Sequence, residues 1–191
     1  WLIWSGAFLI PWGVLYFVKP GFRRKMLRVS LATSLLGLSE PIFVPEYWDP
    51  PSLFDLAQRT GFDIESMVFC FAIGGIGAVM YNALANKDIV GIPPEERHSG
   101  RHRWHRLAIV SPYLVFPVLY FLPWNPIYPG IVALATGGIA NVLCRPDLLR
   151  NTLAGGVLFL FLYAVSMLSL IIFAPGYIEQ VWNLAALSGL L

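Results

Sequence analysis

The residues able to do chemistry in this chain are the few carboxyls that fall within or beside apolar runs. Glu40 interrupts the run Val29 to Val44, 12 residues beyond Arg28, which is roughly 18 Å along a helix axis. A carboxyl inside a membrane is costly and marks a site for proton transfer. The alternative for Glu40 is a protonated glutamate bonded to a neighbouring helix and stabilising a break before Pro41. Asp63 and Glu65 open the run Ser66 to Asn86. Phe62 and Phe69 stand beside them in sequence, and acids at the mouth of an apolar run are candidates for acid–base work. The alternative is that Asp63 caps the helix and Glu65 complements its dipole. Glu46 and Glu179 stand close to Trp48 and Trp182, which suits either a ligand wall or an aromatic belt at the membrane interface.

Other features do not point to chemistry. His98, His102 and His105 have metal-like spacing, but they alternate with Arg101, Arg103 and Arg106. Those cations would repel a metal, and a solvated or lipid-headgroup-binding loop is the better reading, so no metal site is expected. Gly74, Gly75, Gly77, Gly137 and Gly138 lack the strand and the Lys-Ser/Thr of a phosphate loop and read as helix-packing glycines. Cys70 and Cys144 lie in apolar stretches and suggest no disulfide framework. The only lysines, Lys19, Lys25 and Lys87, fall in loops, so no Schiff-base lysine is embedded in the segments seen. No cofactor is predicted.

Positioning these carboxyls is the work of a membrane bundle. Of the 191 residues, 57% are apolar and 13% charged, with mean hydropathy +0.66, which excludes an ordinary soluble domain and a disordered chain. A net charge of +2 is too small to argue for nucleic acid. Charge-poor windows predict six transmembrane helices over 1–18, 29–44, 66–86, 107–122, 127–144 and 151–178. The turn Pro123, Trp124, Asn125, Pro126 separates the fourth from the fifth. The sixth could reach roughly 42 Å and must tilt, kink or project. The loops after helices one, three and five hold 12 of the 13 basic residues. By the positive-inside rule they face the cytoplasm of a cell membrane, and the N-terminal end lies outside.

The chain also repeats itself. Lys19, Pro20, Gly21, Phe22, Arg23, Arg24 and Leu27 match Arg145, Pro146, Asp147, Leu148, Leu149, Arg150 and Leu153, while Trp48, Asp49 and Leu53 match Trp182, Asn183 and Leu187. Eight extra residues separate the anchors of the second copy. By analogy with Gly61 to Glu65, a further helix is expected beyond Leu191. The expected fold is therefore all-α, with six helices present and a seventh missing, as a 3+1+3 parallel repeat. Residues 1–86 form the first unit, 87–126 a cytoplasmic loop and linker helix, and 127–191 the second unit.

The runs Glu40-Pro-Ile-Phe-Val-Pro-Glu-Tyr-Trp48 and Phe62-Asp-Ile-Glu-Ser-Met-Val-Phe-Cys-Phe71 resemble the lycopene cyclase domain family, small membrane cyclases of bacteria, archaea and fungi. The second half, with Asn125 to Tyr128 and Tyr177 to Asn183, is similar to bacterial members of that family. The family signature is proline, an apolar residue and two acids at the start of the last helix of each unit. Phe62-Asp63-Ile64-Glu65-Ser66 lacks the proline and the second adjacent acid. The resemblance implies cyclisation of a linear carotenoid end group, an isomerisation without net redox and without a cofactor. It aligns Glu65 with the family carboxyl, as acid or base.

The expectation is a carotenoid cyclase-like isomerase with Glu65, Glu40 and Asp63 as catalytic groups and Phe62, Phe69, Trp48, Glu46, Glu179 and Trp182 along the substrate. Its expected partners are membrane lipid, a carotenoid or isoprenoid ligand, and a second copy or larger membrane complex. The competing expectation is a non-catalytic membrane subunit that binds an isoprenoid or scaffolds such a complex.

Overall fold

In the computed structural model, residues 1–88, 91, 95, 100 and 102–183 are described. His98, Arg101 and Leu187, singled out in the sequence, lie outside them. Among the described residues the chain is all-helical, apart from one isolated antiparallel bridge between Trp48 and Trp182. The helices are α1 (Leu2–Ala7), α2 (Leu9–Val18), α3 (Arg23–Ser34), α4 (Leu56–Thr60), α5 (Ile64–Leu84), α6 (His105–Tyr120), α7 (Ile127–Cys144), α8 (Leu149–Phe173) and α9 (Tyr177–Val181).

Three helices are long and apolar enough to cross a membrane: Ile64–Leu84, Ile127–Cys144 and Pro146–Phe173. A fourth crossing is reached if Leu2–Val18 and Pro20–Ile42, bent by 106° at Lys19, form one span. Two other apolar windows are helical but shorter or more polar. Helix α3 starts with Arg23, Arg24 and Lys25, and beyond Ser34 the chain tightens into a 3-10 helix, Leu35–Ile42, with Pro41 inside it. Helix α6 has 16 residues with Pro112 and Pro117 inside. The sixth window breaks earlier than Ile178: α8 ends at Phe173, and Gly176, at φ 80°, turns the chain into α9. Pro175 has no N–H to continue a helix, and the positive φ is one that glycine adopts at no steric cost.

The two basic-proline motifs have the same local shape. Lys19 (φ −119°, ψ 73°) and Arg145 (φ −137°, ψ 72°) each end one helix, and each is followed by a 3-10 turn, Pro20–Phe22 and Pro146–Leu148. Proline suits the first position of such a turn because its missing N–H would have no partner there. The basic side chains then work locally. Arg23 Nε donates to the carbonyl of Tyr16 at 2.8 Å, satisfying the end of α2, and Arg145 makes a bidentate pair with Asp147 at 2.9 and 2.7 Å.

Helix α5 is the centre of the assembly. Phe8 packs against Ala72, Ile76 and Met80, with Trp12, Phe69, Leu158 and Leu162 around them. Phe22 and Met26 pack against Val79 and Ala83. Lipid is as apolar as these side chains, so close packing and polar contacts must hold the helices together. Tryptophans of the first two helices supply such contacts. Trp4 Nε1 donates to Ser169 Oγ at 3.3 Å and Trp12 Nε1 to Ser30 Oγ at 2.8 Å. Thr33 Oγ1 also donates across to the Cys70 carbonyl at 2.9 Å.

Small residues permit the approach. A Cβ on Gly37 would lie 2.6 Å from the backbone nitrogen of Met67, and one on Gly137 would meet Pro112 Cγ at 2.5 Å. Gly74 and Gly75 are crowded by Thr33, Ser30 and Trp12, whereas Gly138 faces open space. Gly37→Ala is therefore expected to lower stability by about 1–3 kcal/mol, the usual cost of overpacking. Gly138→Ala should leave it unchanged or slightly raised. Survival of monodisperse protein after heating in detergent measures both, and an unaffected Gly37→Ala variant would contradict the packing described.

Candidate functional site

Three carboxyls converge where the 3-10 segment passes over the start of α5. Glu40 is 8% exposed, Asp63 3% and Glu65 1%. Asp63 precedes α5 with an extended backbone, and its Oδ1 accepts the Ser66 backbone N–H as a helix cap. Burial pushes the Asp63 carboxyl above the usual carboxylate range, and the hydrogen bonds from Ser66 pull against that shift.

Glu40 is held from two sides. Trp48 Nε1 donates to its Oε2 at 3.0 Å, and its Oε1 is hydrogen-bonded to Ser66 Oγ. The same Ser66 Oγ lies 3.1 Å from Asp63 Oδ2 and receives the indole N–H of Trp1 at 3.4 Å. Glu65 points the other way. Its Oε1 accepts the Leu53 backbone N–H at 2.7 Å, tying down the loop before α4, while its Oε2 is buried without a partner among the described residues. Among the described residues, the ion pairs are Arg59 with Asp55 and Arg145 with Asp147, so no Lys or Arg neutralises the three carboxyls.

Beside this cluster opens a cleft of about 290 Å³. Glu40, Ser66 and Cys70 contribute to its wall, and Trp1, Phe43, Tyr47, Trp48, Phe69, Tyr163 and Trp182 give it an aromatic lining. The rings adjoin one another: Trp1 meets Trp48 edge-on at 4.8 Å, and Trp48 lies tilted against Trp182 at 5.4 Å. The backbone joins the last pair. Asp49 N donates to Val181 O at 2.8 Å, and Asn183 N donates to Tyr47 O at 2.9 Å.

The sequence-derived candidates divide accordingly. Glu40, Phe69, Trp48 and Trp182 share the cleft. Asp63 and Glu65 stand behind its wall, so Glu40 rather than Glu65 is the carboxyl that a ligand in the cleft would meet. Phe62 is 44% exposed and does not line the cleft. Glu46 and Glu179 are exposed as well. The Glu46 backbone carbonyl, rather than its side chain, is engaged, accepting from Asn125 and Asn183.

Sequence reasoning gave Ser66 no role, although it joins two of the carboxyls. A serine in the first turn after an aspartate cap carries no signal of a partner 26 residues away. Tyr177 was missed too. Its hydroxyl is buried without a hydrogen-bond partner, and burial, then the charge of Glu65, pushes the phenol up. No family model, curated protein or solved structure matches the chain.

Removing the cap should be measurable apart from any activity. Asp63→Ala is expected to destabilise the protein by about 1 kcal/mol, and Asp63→Asn, which keeps an acceptor, by less. A carboxyl raised in the folded state contributes stability below its unfolded value and loses it as pH rises through its folded value. Asp63→Asn should therefore flatten the decline in thermal stability with rising pH, and an unchanged profile would contradict the burial of this group.

Proposed function

We propose that this chain is a membrane isomerase resembling the lycopene cyclase domain family, acting on the end group of a long polyene by carboxyl acid–base chemistry. The observation that carries the reading is Glu40, a buried carboxyl on the wall of an aromatic-lined cleft and without a cation partner among the described residues. A neutral carboxyl there delivers its proton to a terminal double bond. The neighbouring double bond attacks the resulting cation and closes the ring. A carboxylate then removes a proton from the adjacent carbon, so one proton enters, one leaves and no electrons are exchanged. Glu40 is the acid or base nearest the substrate, with Asp63 and Glu65 behind it. The π faces of Trp48, Trp182 and Phe69 stabilise the cation, and the apolar surroundings keep water from quenching it. The cleft volume suits an end group rather than a whole long-chain carotenoid, whose remainder would extend into lipid.

The proposal includes the finer topology: six crossings in a cell membrane, basic loops in the cytoplasm and the N-terminal end outside, as a 3+1+3 repeat. Two observations support the repeat. The motifs at Lys19 and Arg145 have matching backbone angles. The two tryptophans that the repeat matches, Trp48 and Trp182, meet in an antiparallel bridge, with Asp49 N donating to Val181 O and Asn183 N to Tyr47 O.

A second reading is a non-catalytic subunit that holds an isoprenoid. It is favoured by the structural work that the carboxyls already do: Asp63 caps a helix, Glu65 holds Leu53, and both oxygens of Glu40 are hydrogen-bonded. Pigment analysis of a lycopene-producing bacterium expressing the protein separates the readings. Conversion to cyclised carotene, reduced at least about 100-fold in a folded Glu40→Gln variant, is expected of the enzyme. Unchanged lycopene with well-expressed protein would overturn it, and lycopene co-purifying with the protein would then favour the subunit.

A further inference from the structure

The hydrogen-bond inventory around Ser66 fixes a proton count. A serine hydroxyl has one hydrogen and two lone pairs. Its oxygen here has three polar neighbours: the Trp1 indole N–H, Glu40 Oε1 and Asp63 Oδ2. The indole can only donate, which fills one lone pair. The serine hydrogen serves one carboxyl. The remaining lone pair faces the other carboxyl, and two facing lone pairs make no bond. One of the two carboxyls must therefore bring a hydrogen of its own.

The surroundings decide which one. Asp63 Oδ1 accepts the backbone N–H of Ser66 at the N-terminus of α5, where the helix dipole and the free N–H groups favour a negative charge. Glu40 reaches the first turn of that helix through the Ser66 hydroxyl, its other hydrogen bond coming from the Trp48 indole, and so does not take the backbone N–H that Asp63 takes; it also borders the rings of the cleft. Asp63 and Cys70 interact electrostatically with it, Tyr47 and Tyr163 line the same cleft, and no Lys or Arg is paired with it among the described residues. A second negative charge beside Asp63 would be repelled as well as poorly solvated.

We propose that Glu40, Ser66 and Asp63 form a directed proton chain, in which Glu40 is the neutral acid, Ser66 accepts from Glu40 and donates to Asp63, and Asp63 is the carboxylate. Ser66 and Asp63 are positioning residues. Asp63 orients the serine hydroxyl so that its lone pair is presented to Glu40, and the proton waits on the carboxyl that faces the cleft. The inference deepens the acid–base reading above by naming the donor, but it concerns the resting protein and is read without turnover.

Infrared spectroscopy of the purified protein in lipid nanodiscs at neutral pH tests it through the carbonyl stretch of a neutral carboxylic acid. The wild type should show this band, Glu40→Gln should lose it, and Glu65→Gln and Asp63→Asn should keep it. Ser66→Ala removes the acceptor and should move the band to higher frequency, whereas Ser66→Thr should restore its position. Loss of the band in Asp63→Asn with retention in Glu40→Gln would overturn the assignment, as would a wild type without the band. If Glu40→Gln fails to fold, the serine pair still decides, because an unshifted band in Ser66→Ala would overturn the chain. A band that behaves as expected in a protein that leaves lycopene unchanged would sink the cyclase reading and leave the proton chain standing.

Discussion

Burying Glu40 constrains everything around it. A carboxyl in an apolar bundle is tolerated only when its oxygens are satisfied, and here the partners come from two separate stretches, Trp48 on the following loop and Ser66 on α5. Meeting both requires the helix beyond Ser34 to tighten into its 3-10 form and cross the start of α5 at Gly37, where no side chain would fit against Met67. It also brings the indole of Trp48 inward. The outer edge of Trp48 is then free to pair with Trp182, so the same contact that satisfies the carboxyl draws the chain after α8 over the cleft.

The rest of the bundle divides into a tight side and an open side. Indole-to-serine bonds tie α1 to α8 and α2 to α3, and a threonine-to-carbonyl bond ties α3 to α5, each worth about 0.6 kcal/mol in a membrane and useful chiefly for fixing register. The α6–α7 hairpin is packed against itself at Gly137 and Pro112, and it meets the site through Phe116 beside Phe43 and Ile127 at the cleft wall. Exposed side chains such as Leu160, Phe161 and Ile172 along α8 are what a lipid-facing helix presents.

The sequence made some of this legible. The apolar windows located the helices because charge is excluded from them, and Glu40 stood out as a lone carboxyl in such a window. The alternatives for the other acids were also physical: Asp63 caps α5, and Glu46 and Glu179 are exposed near their tryptophans. What could not be read was the partnership. Glu40 pairs with Trp48, where proximity in sequence pointed to Glu46, and it reaches Ser66 on another helix. Such contacts follow from how α3 and α5 cross, which one-dimensional periodicity does not encode. Phe62 looked like a cleft residue because of its neighbours, but Asp63 turns inward to cap the helix, and Phe62 faces outward.

The proposed function places the end of a linear polyene in the aromatic cleft beside Glu40. Quenching of tryptophan fluorescence by lycopene in nanodiscs tests it most directly, since Trp1, Trp48 and Trp182 all line the cleft and a polyene accepts their excitation. Binding in the cleft predicts saturable quenching that is lost when Leu36, a half-exposed residue of the cleft wall, is replaced by Trp in a variant that still folds. Quenching that rises linearly with lycopene and is the same in both proteins would be partition into lipid, and would contradict it.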